Sequence, residues 1–474
     1  MIVYVWFIAA FFVAFVVVHT GVLIAAAAEL RRYAARMNTG TSRRMLRSPV
    51  VPAISVLVPA YNEATGIVDT VRSLLALDYP HVEIVVINDG STDDTVERLV
   101  KTFDLRPVLR PMPPFLPCGH VRAAYVPSSQ LRLLVIDKDN GGKADSLNAG
   151  INFASSPLFC SVDADSILEQ NALAKTALPF IADPYRTVAA GGLVRVANGC
   201  SIERGRVAEA HLPRSRLAMF QVVEYARAFF GTRTGLSALR GLLIISGAFG
   251  LFRRDAVIAA GGYRADIVGE DAELVVRLHR TFRDAGRPYR VVYVPDPVCW
   301  TEVPESFRYL RRQRRRWQRG SLETLLIHRR MLMNARYRTV GLIALPSMLL
   351  FDVLGPVIEL SGYVVTVVAV LVGTLAPRTF VLFLALAVLY GLVLTLGAMA
   401  LEDATAGRFP GWDDLRRMLL YAVAENLGYR QLLHMWRIEG AWQLFRKADW
   451  GAMERKGFAL PAPEPLQGSA AERR

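Results

Sequence analysis

From Ile2 to Ala28 the chain contains no Asp, Glu, Lys or Arg. A helix built on that run is long enough to cross the roughly 30 Å hydrocarbon layer of a bilayer, and Arg31, Arg32 and Arg36 follow it closely. A cleaved signal peptide also begins with an apolar stretch, and Ala26 to Ala28 resemble a cleavage site. However, no basic residue precedes the run, and it exceeds the length of a signal-peptide core. The expectation is an uncleaved anchor over residues 1–30 with its N-terminus outside. A hydrophobic fraction of 53% over 474 residues is more than a soluble core requires. The net charge of +14 concentrates in Arg31–Arg47 and Arg308–Arg338, each beside an apolar run. That placement is the one positive residues take on the cytosolic side of membrane spans; no groove-reading motif accompanies it, so no nucleic acid partner is expected. The four cysteines form no C-x-x-C pair and the seven histidines never fall at metal-ligand spacing, so inert thiols in a reducing compartment are expected.

Between residues 50 and 303 the pattern changes to short β-rich runs alternating with amphipathic ones. "ISVLVPA" (Ile54–Ala60) predicts a strand and "EATGIVDTVRSLLAL" (Glu63–Leu77) a helix. "VEIVVIND" (Val82–Asp89) predicts a strand and "STDDTVERLVKTF" (Ser91–Phe103) a helix capped by Ser91 or Thr92. "LRLLVID" and "PLFCSVDAD" continue the alternation. It predicts an α/β domain, a parallel sheet with helices on its faces, whose ligands sit beyond the carboxyl ends of the strands. The segment Asp104–Gln130 breaks the rhythm with six prolines, which forbid a regular helix, and reads as an inserted loop.

After Arg338 the lipid signal returns. Leu342–Leu375 is apolar apart from Asp352 and Glu359, and Phe380–Leu401 is apolar throughout, with Pro377 and Arg378 marking a turn between them. Residues 339–402 are therefore expected to form a hairpin of two spans. "LRRMLLYAVAENLGYRQLLHMW" (Leu415–Trp436) carries too many charges for an ordinary span and predicts an amphipathic helix lying in the interface, within a 403–474 segment of such helices and a cytosolic tail.

Two carboxylates, Asp163 and Asp165, stand one residue apart where an apolar strand ends. They repel each other unless a cation is present, and an oxygen-only pair suits Mg²⁺ or Mn²⁺ shared with a diphosphate; a solvated turn would carry the same pair. "PAYNE" (Pro59–Glu63), "NDG" (Asn88–Gly90) and "DNGGKADSLNAG" (Asp139–Gly150) also stand at strand ends or helix starts, where one nucleotide could touch them all. Glu270 and Asp271 open a helical run, a place where acidic residues also offset the helix dipole, and spacing does not separate the two as candidate bases. "RRQRRRW" (Arg311–Trp317) precedes an apolar segment, and contact with anionic lipid headgroups is expected for Arg311, Arg312, Arg314 and Arg315.

Four ordered elements, "VPAYNEA", "INDGSTDDT", "DAD" and "GED" followed by "QRRRW", give the chain its resemblance to a family. Over about Ile54–Gly320 it resembles the membrane-embedded, processive members of glycosyltransferase family 2, which include the hyaluronan, chitin, cellulose and poly-N-acetylglucosamine synthases. The resemblance implies an α/β fold of the GT-A type, with a Rossmann-like, mixed and mostly parallel sheet over residues 50–303. It also implies a basic interfacial segment at 304–338 and transmembrane helices at both ends, in a multi-pass protein of the inner (plasma) membrane with a cytosolic catalytic domain. By the same resemblance, Tyr61, Glu63 and Asp89 hold the uracil and ribose of a UDP-sugar donor, and Lys143 lies near its phosphates. Asp163 and Asp165 serve the nucleotide and the metal, Mg²⁺ or Mn²⁺, and Asp271 is the catalytic base with Glu270 beside it. Gln313, Arg316 and Trp317 close over the diphosphate and meet the growing glycan acceptor; for Trp317 an interfacial anchor is the other reading. "SGAFGLFRRDAV", from Ser246, matches the acceptor side.

The implied activity is metal-dependent transfer from UDP-N-acetylglucosamine or UDP-glucose to a β-linked polysaccharide at the cytosolic face of the bilayer. One base and no protein nucleophile means inversion. Transfer of a single sugar to a lipid carrier, or a non-catalytic role in membrane assembly, are the alternatives. No regulatory module is expected after "WGAMERKGF" (Trp450–Phe458), and three spans make a narrow frame for a sugar channel, so a homo-oligomer or an export partner is expected to complete it.

Overall fold

The computed structural model describes residues 2–38, 51–111, 113–129, 132–203, 205–374, 376–406 and 411–445; the expected tail from 446 onward lies outside the described residues. The central sheet is built from β1 (Ile54–Ala60), β2 (Val82–Asp89), β3 (Leu105–Val108), β4 (Val121–Pro127), β5 (Leu133–Lys138), β6 (Leu158–Val162), β7 (Ser166–Leu168) and β8 (Thr187–Val196). A small hairpin, β9 (Ser201–Glu203) with β10 (Arg206–Glu209), stands apart, and β11 (Phe249–Arg253) and β12 (Arg290–Thr301) complete the ten strands, in the order β3-β4-β5-β2-β1-β6-β11-β8-β12-β7.

The run β5-β2-β1-β6 is parallel throughout, as is the β8–β12 pair. Between these blocks β11 runs antiparallel to both β6 and β8, so the sheet is mixed, as the resemblance implied. Its central strands are covered on both faces: β6 and β8 are buried along their whole length, which is why they read as unbroken apolar runs rather than alternating ones. At the C-terminal ends of β1, β2, β5 and β6 the chain turns into the loops that carry the quoted motifs.

The proline-rich segment is more ordered than a loop. It contains β3 and β4, which pair with each other and extend the sheet beyond β5, with Pro107 and Pro127 confined to this edge region, where a missing N–H is tolerated. Its connecting loop is anchored by Leu116, whose N–H donates to Asn152 Oδ1 at 3.0 Å and whose carbonyl accepts from Asn152 Nδ2 at 2.8 Å. The helix after β2 begins at Thr95 rather than beside Ser91 or Thr92, and Asp93 accepts from the N–H of Thr95 at 3.1 Å. Ser91 and Thr92 are spent elsewhere, on Asn62.

Outside the sheet, the first helix runs from Ile2 to Asn38, and its Trp6–Met37 portion is long and apolar enough to cross a membrane. The first apolar C-terminal segment is bent: Val340–Val353 and Gly355–Leu371 meet at 45° and pass the same test only as a pair. Phe380–Leu401 falls inside a 30-residue helix, Pro377–Ala406. The segment expected to lie flat in the interface is two helices, Trp412–Ala424 and Arg430–Trp442, kinked at Leu427 and Gly428. Three of their charged or titratable groups are turned inward, while Asp413 and Arg416 stay exposed. Arg430 donates to Glu359 at 2.8 Å, His434 meets Glu359 at 3.1 Å, and Glu425 pairs with Arg227. A buried charge persists only when paired, and these partners lie on other helices.

Candidate active site

The ends of β1 and β2 are stapled to each other. Asn62, at φ +55°, accepts through Oδ1 from the Thr92 N–H at 2.8 Å, and its own N–H donates to Ser91 Oγ at 2.9 Å. The Glu63 N–H donates to Thr95 Oγ1 at 3.0 Å. Tyr61 is half exposed beside this staple, and Glu63 is buried within it.

Asp89 is the hub of the next connection. Its Oδ1 accepts from Lys138 Nζ at 2.7 Å and from the Gly141 N–H at 2.9 Å; its Oδ2 accepts from the Gly142 N–H at 2.8 Å and Asn140 Nδ2 at 3.3 Å. A carboxylate has about four acceptor positions, so protein donors take all of them. As placed here Asp89 orients the turn that delivers Lys143, with both oxygens engaged by protein donors; the contact with uracil and ribose implied for it rests on the resemblance. Lys138, fully buried, also reaches Asp145 Oδ2 at 2.6 Å and the Asp139 carbonyl at 2.6 Å. Sequence reasoning missed this lysine, because a polar residue at a strand end reads as a solvated one.

The turn positions Lys143 at the start of the helix Lys143–Phe153. Its ammonium pairs with Asp163 and donates to the Gly247 carbonyl at 3.3 Å. On the far side of the same glycine, the Gly247 N–H donates to Asp271 Oδ2 at 3.1 Å. A Cβ at position 247 would lie 3.0 Å from Lys143 Nζ and 3.4 Å from Asp271 Oδ2, so a larger residue there would press on both charged groups. Asp163, Lys143, Gly247 and Asp271, expected from separate motifs, therefore form one continuous line of contacts. Asp163 to Ser166 is a tight turn, closed by the Ser166 N–H on the Asp163 carbonyl at 3.0 Å and held by Thr70 Oγ1 on the Ala164 carbonyl at 2.6 Å.

Electrostatics follow from this crowding. Burial pulls the Lys143 ammonium down, but Asp163, Glu270 and Asp271 outweigh it and hold its pKa well above the ordinary lysine value. The Asp165 carboxyl is pushed up to about 7 by burial and by the charge of Asp163. Glu270 is pushed up to about 7 by burial and then by Asp271, against the pull of Lys143 and Arg316. Glu270 is buried and Asp271 is partly open, a difference in access that spacing does not show.

The Gln313–Trp317 motif sits on the helix Phe307–Ile327, capped by Ser306. Gln313 is buried with Oε1 lacking a hydrogen-bond partner among the described residues, Arg316 is half-buried near Glu270, and Trp317 is exposed. This helix is locked to the loop that carries the acidic pair. Gly320 and Gly269 touch backbone to backbone, a Cβ on either falling 2.9 Å from the other's Cα. The Val268 N–H donates to Glu323 Oε2 at 2.8 Å, and Arg319 braces Glu323 at 2.7 Å. The lipid-facing role expected of the flanking arginines is corrected for Arg314, whereas Arg311 and Arg315 engage Glu439 and keep part of their surface exposed. Arg314 is buried, donates to Glu224 at 2.7 Å and stacks 4.3 Å from the Trp317 ring centroid. Arg311 forks onto Glu439 at 2.7 and 2.8 Å, with Arg315 4.0 Å from the same carboxylate.

For a divalent ion the protein supplies two carboxylates, Asp163 and Asp165, and no cluster of three or more His, Cys, Asp or Glu side chains among the described residues. Two hard oxygen ligands with one raised pKa fit Mg²⁺ or Mn²⁺ only as half of a shell, with a diphosphate as the other half.

Comparison with known proteins matches residues 55–112 to the model described as "Glycosyl transferase family 2", residues 120–320 to "Glycosyltransferase like family 2" and residues 264–426 to "Chitin synthase". The poly-beta-1,6-N-acetyl-D-glucosamine synthase of Staphylococcus aureus is 32% identical over 273 residues, which is 58% of this chain and 55% of that protein. The protein of the same name from Staphylococcus epidermidis is 30% identical over 276 residues, 58% of this chain and 56% of its own length. The chain thus spans about half the length of the curated relatives it matches. Among solved structures, a mannosyltransferase from Pyrobaculum calidifontis in complex with GDP-Man and Mn²⁺ overlaps 86% of this chain and 99% of its own, at 20% identity and a TM-score of 0.48. Staphylococcus aureus TarS 1-349 in complex with UDP-GlcNAc overlaps 82% and 92%, at 16% identity and a TM-score of 0.40.

Proposed function

The chain belongs to glycosyltransferase family 2, and on that premise we propose that it extends a β-linked polysaccharide from a UDP-sugar, with inversion, at the cytosolic face of a membrane. N-acetylglucosamine is the favoured sugar, because the curated relatives are named for its polymer. The apolar helix Trp6–Met37 and the bent pair Val340–Leu371 support membrane attachment.

The observation that carries the reading is the contact line Asp163–Lys143–Gly247–Asp271, with Arg316 acting on the neighbouring Glu270. In the proposed reaction an acceptor hydroxyl oxygen attacks the anomeric carbon, the bond from that carbon to the β-phosphate oxygen breaks, and UDP leaves. Asp271 takes the hydroxyl proton, its carboxylate fixed by the Gly247 N–H and by its place in the first turn of the helix Glu270–Asp284. Lys143 and Arg316 stabilise the negative charge that develops on the leaving diphosphate. A divalent ion held by Asp163, Asp165 and the diphosphate would add Lewis-acid stabilisation of the same charge. Glu270, with its pKa near 7, limits the negative charge around Asp271. Trp317 offers an exposed indole face on which an acceptor sugar can stack.

The test is UDP release from purified full-length protein with UDP-N-acetylglucosamine or UDP-glucose and Mg²⁺ or Mn²⁺, followed by sizing of labelled product. Asp271→Asn is expected to lower the rate by about 10²–10⁴-fold with an unchanged thermal midpoint, and wild type is expected to give a ladder or long polymer. Equal, near-background release by both proteins would leave a binding role instead, and a single addition would leave a lipid-carrier transferase.

A further inference from the structure

A basic pocket lies away from the reacting groups, at the opposite end of the base-bearing helix. It has a volume of about 420 Å³ and is lined by Arg280, Asp284, His328, Arg329, Arg330 and Arg336, among others. That size is within the range of small-ligand sites. Asp284 is the acidic residue of the lining and is already engaged: Tyr337 OH donates to it at 2.9 Å, and Arg336 and Arg280 approach it at 3.4 and 3.8 Å. Arg329 and Arg330 are exposed and have no carboxylate within ion-pair distance among the described residues.

Arginines near helix C-termini often do no more than offset the dipole, and two helices, Glu270–Asp284 and Phe307–Ile327, end here. The magnitudes decide against that account alone. Each helix end carries about half a negative charge, so two ends and Asp284 leave about two of the four guanidinium charges uncompensated. The wall also holds His328, buried, with Nε2 on Glu273 at 2.9 Å and Nδ1 without a hydrogen-bond partner among the described residues. The pocket is stapled to the apolar C-terminal region by the Met333 N–H on the Gly341 carbonyl at 2.9 Å. Met331, Tyr337, Val340 and Leu345 share one apolar cluster with Val276 of the base-bearing helix.

We propose that this pocket is a binding site for a phosphate-bearing anion, with Arg329 and Arg330 as its principal ligands. A planar guanidinium forks onto phosphate oxygens, and a basic pocket where an apolar segment begins is a place for an anionic headgroup. A soluble phosphate ester would meet the same donors. Through Glu273 and the shared apolar cluster, an occupant bears on the helix that carries Glu270 and Asp271.

The experiment uses full-length protein in phosphatidylcholine nanodiscs, with spin-labelled phosphatidylglycerol as one probe and sn-glycerol 3-phosphate as the other. Three proteins are compared: wild type, R329Q/R330Q, and R31Q/R32Q, which removes the same charge from another membrane-flanking site. Phosphatidylglycerol binding about 10- to 30-fold weaker in R329Q/R330Q, but unchanged in R31Q/R32Q, establishes the site and a lipid source. Calorimetric binding of glycerol 3-phosphate to wild type, lost in R329Q/R330Q without any lipid effect, establishes it with a soluble source. If neither probe distinguishes R329Q/R330Q from wild type, or both double variants weaken lipid binding equally, the proposal is overturned. The readout is binding rather than turnover, so failure here leaves the proposed reaction untouched.

Discussion

The two sides of the cleft treat charge in opposite ways. On the β2–β5 side the buried Lys138 stands between Asp89 and Asp145 at 2.7 and 2.6 Å, and the N–H groups of Gly119, Gly141 and Gly142 neutralise the rest of the carboxylates' demand. On the β6–β11 side Asp163, Asp165, Glu270 and Asp271 share Lys143 and Arg316, and burial, with the neighbouring carboxylates adding to it, pushes two carboxyls up to about 7. The first arrangement is complete without a ligand and sets the loop geometry beforehand. The second is electrostatically unfinished, as a site is when its cationic balance arrives with the substrate.

The contrast breaks most severely at Lys138. Lys138→Met leaves Asp89 and Asp145 without their shared cation, and a loss of about 3–5 kcal/mol is expected, read as a large drop in thermal midpoint. A change within error would mean that the clamp is not rigid. On the other side the sign reverses. Glu270 has a folded pKa of about 7 against an ordinary 4.5, so between those values the folded protein holds a proton the unfolded chain has released. Its contribution to stability is full below pH 4.5 and is lost as pH rises through 7. Glu270→Gln is therefore expected to stabilise the protein at pH 8, by on the order of 1–3 kcal/mol, and to do little at pH 5; an identical shift at both pH values would contradict the account. An effect of similar size sharpens the border between the halves. Gly320→Ala places a Cβ 2.9 Å from the Gly269 Cα, and a cost of about 1–3 kcal/mol is expected, together with a fall in UDP release that exceeds the fall in folded fraction.

Legibility in the sequence follows the same division. β1, β2, β5 and β6 are continuous apolar runs ending in turn residues, so their existence and the position of Asp163 and Asp165 could be read directly. The convergence of Asp163, Lys143 and Asp271 around Gly247 required motif order as well as pattern. β11 could not be read as antiparallel, since its direction depends on partners far along the chain at Ser161 and Ala190. The proline-rich segment hid two edge strands, because edge positions tolerate residues that interior ones refuse. Arg314 looked like its neighbours in an arginine run, yet helical geometry turns it onto Glu224 while Arg311 turns onto Glu439. Lys138 left no sequence signal, because its partners Asp89 and Asp145 lie on separate elements.

The main-chain contact between Gly269 and Gly320 has a mechanical consequence. With no side chain interposed, no rotamer can lengthen or shorten the spacing between the start of the helix bearing Asp271 and the helix bearing Trp317. The exposed Trp317 ring and the Asp271 carboxylate, the proposed acceptor platform and base, are gauged against each other by the polypeptide itself, as two marks on one ruler. A motion that opened the cleft would have to carry both marks together.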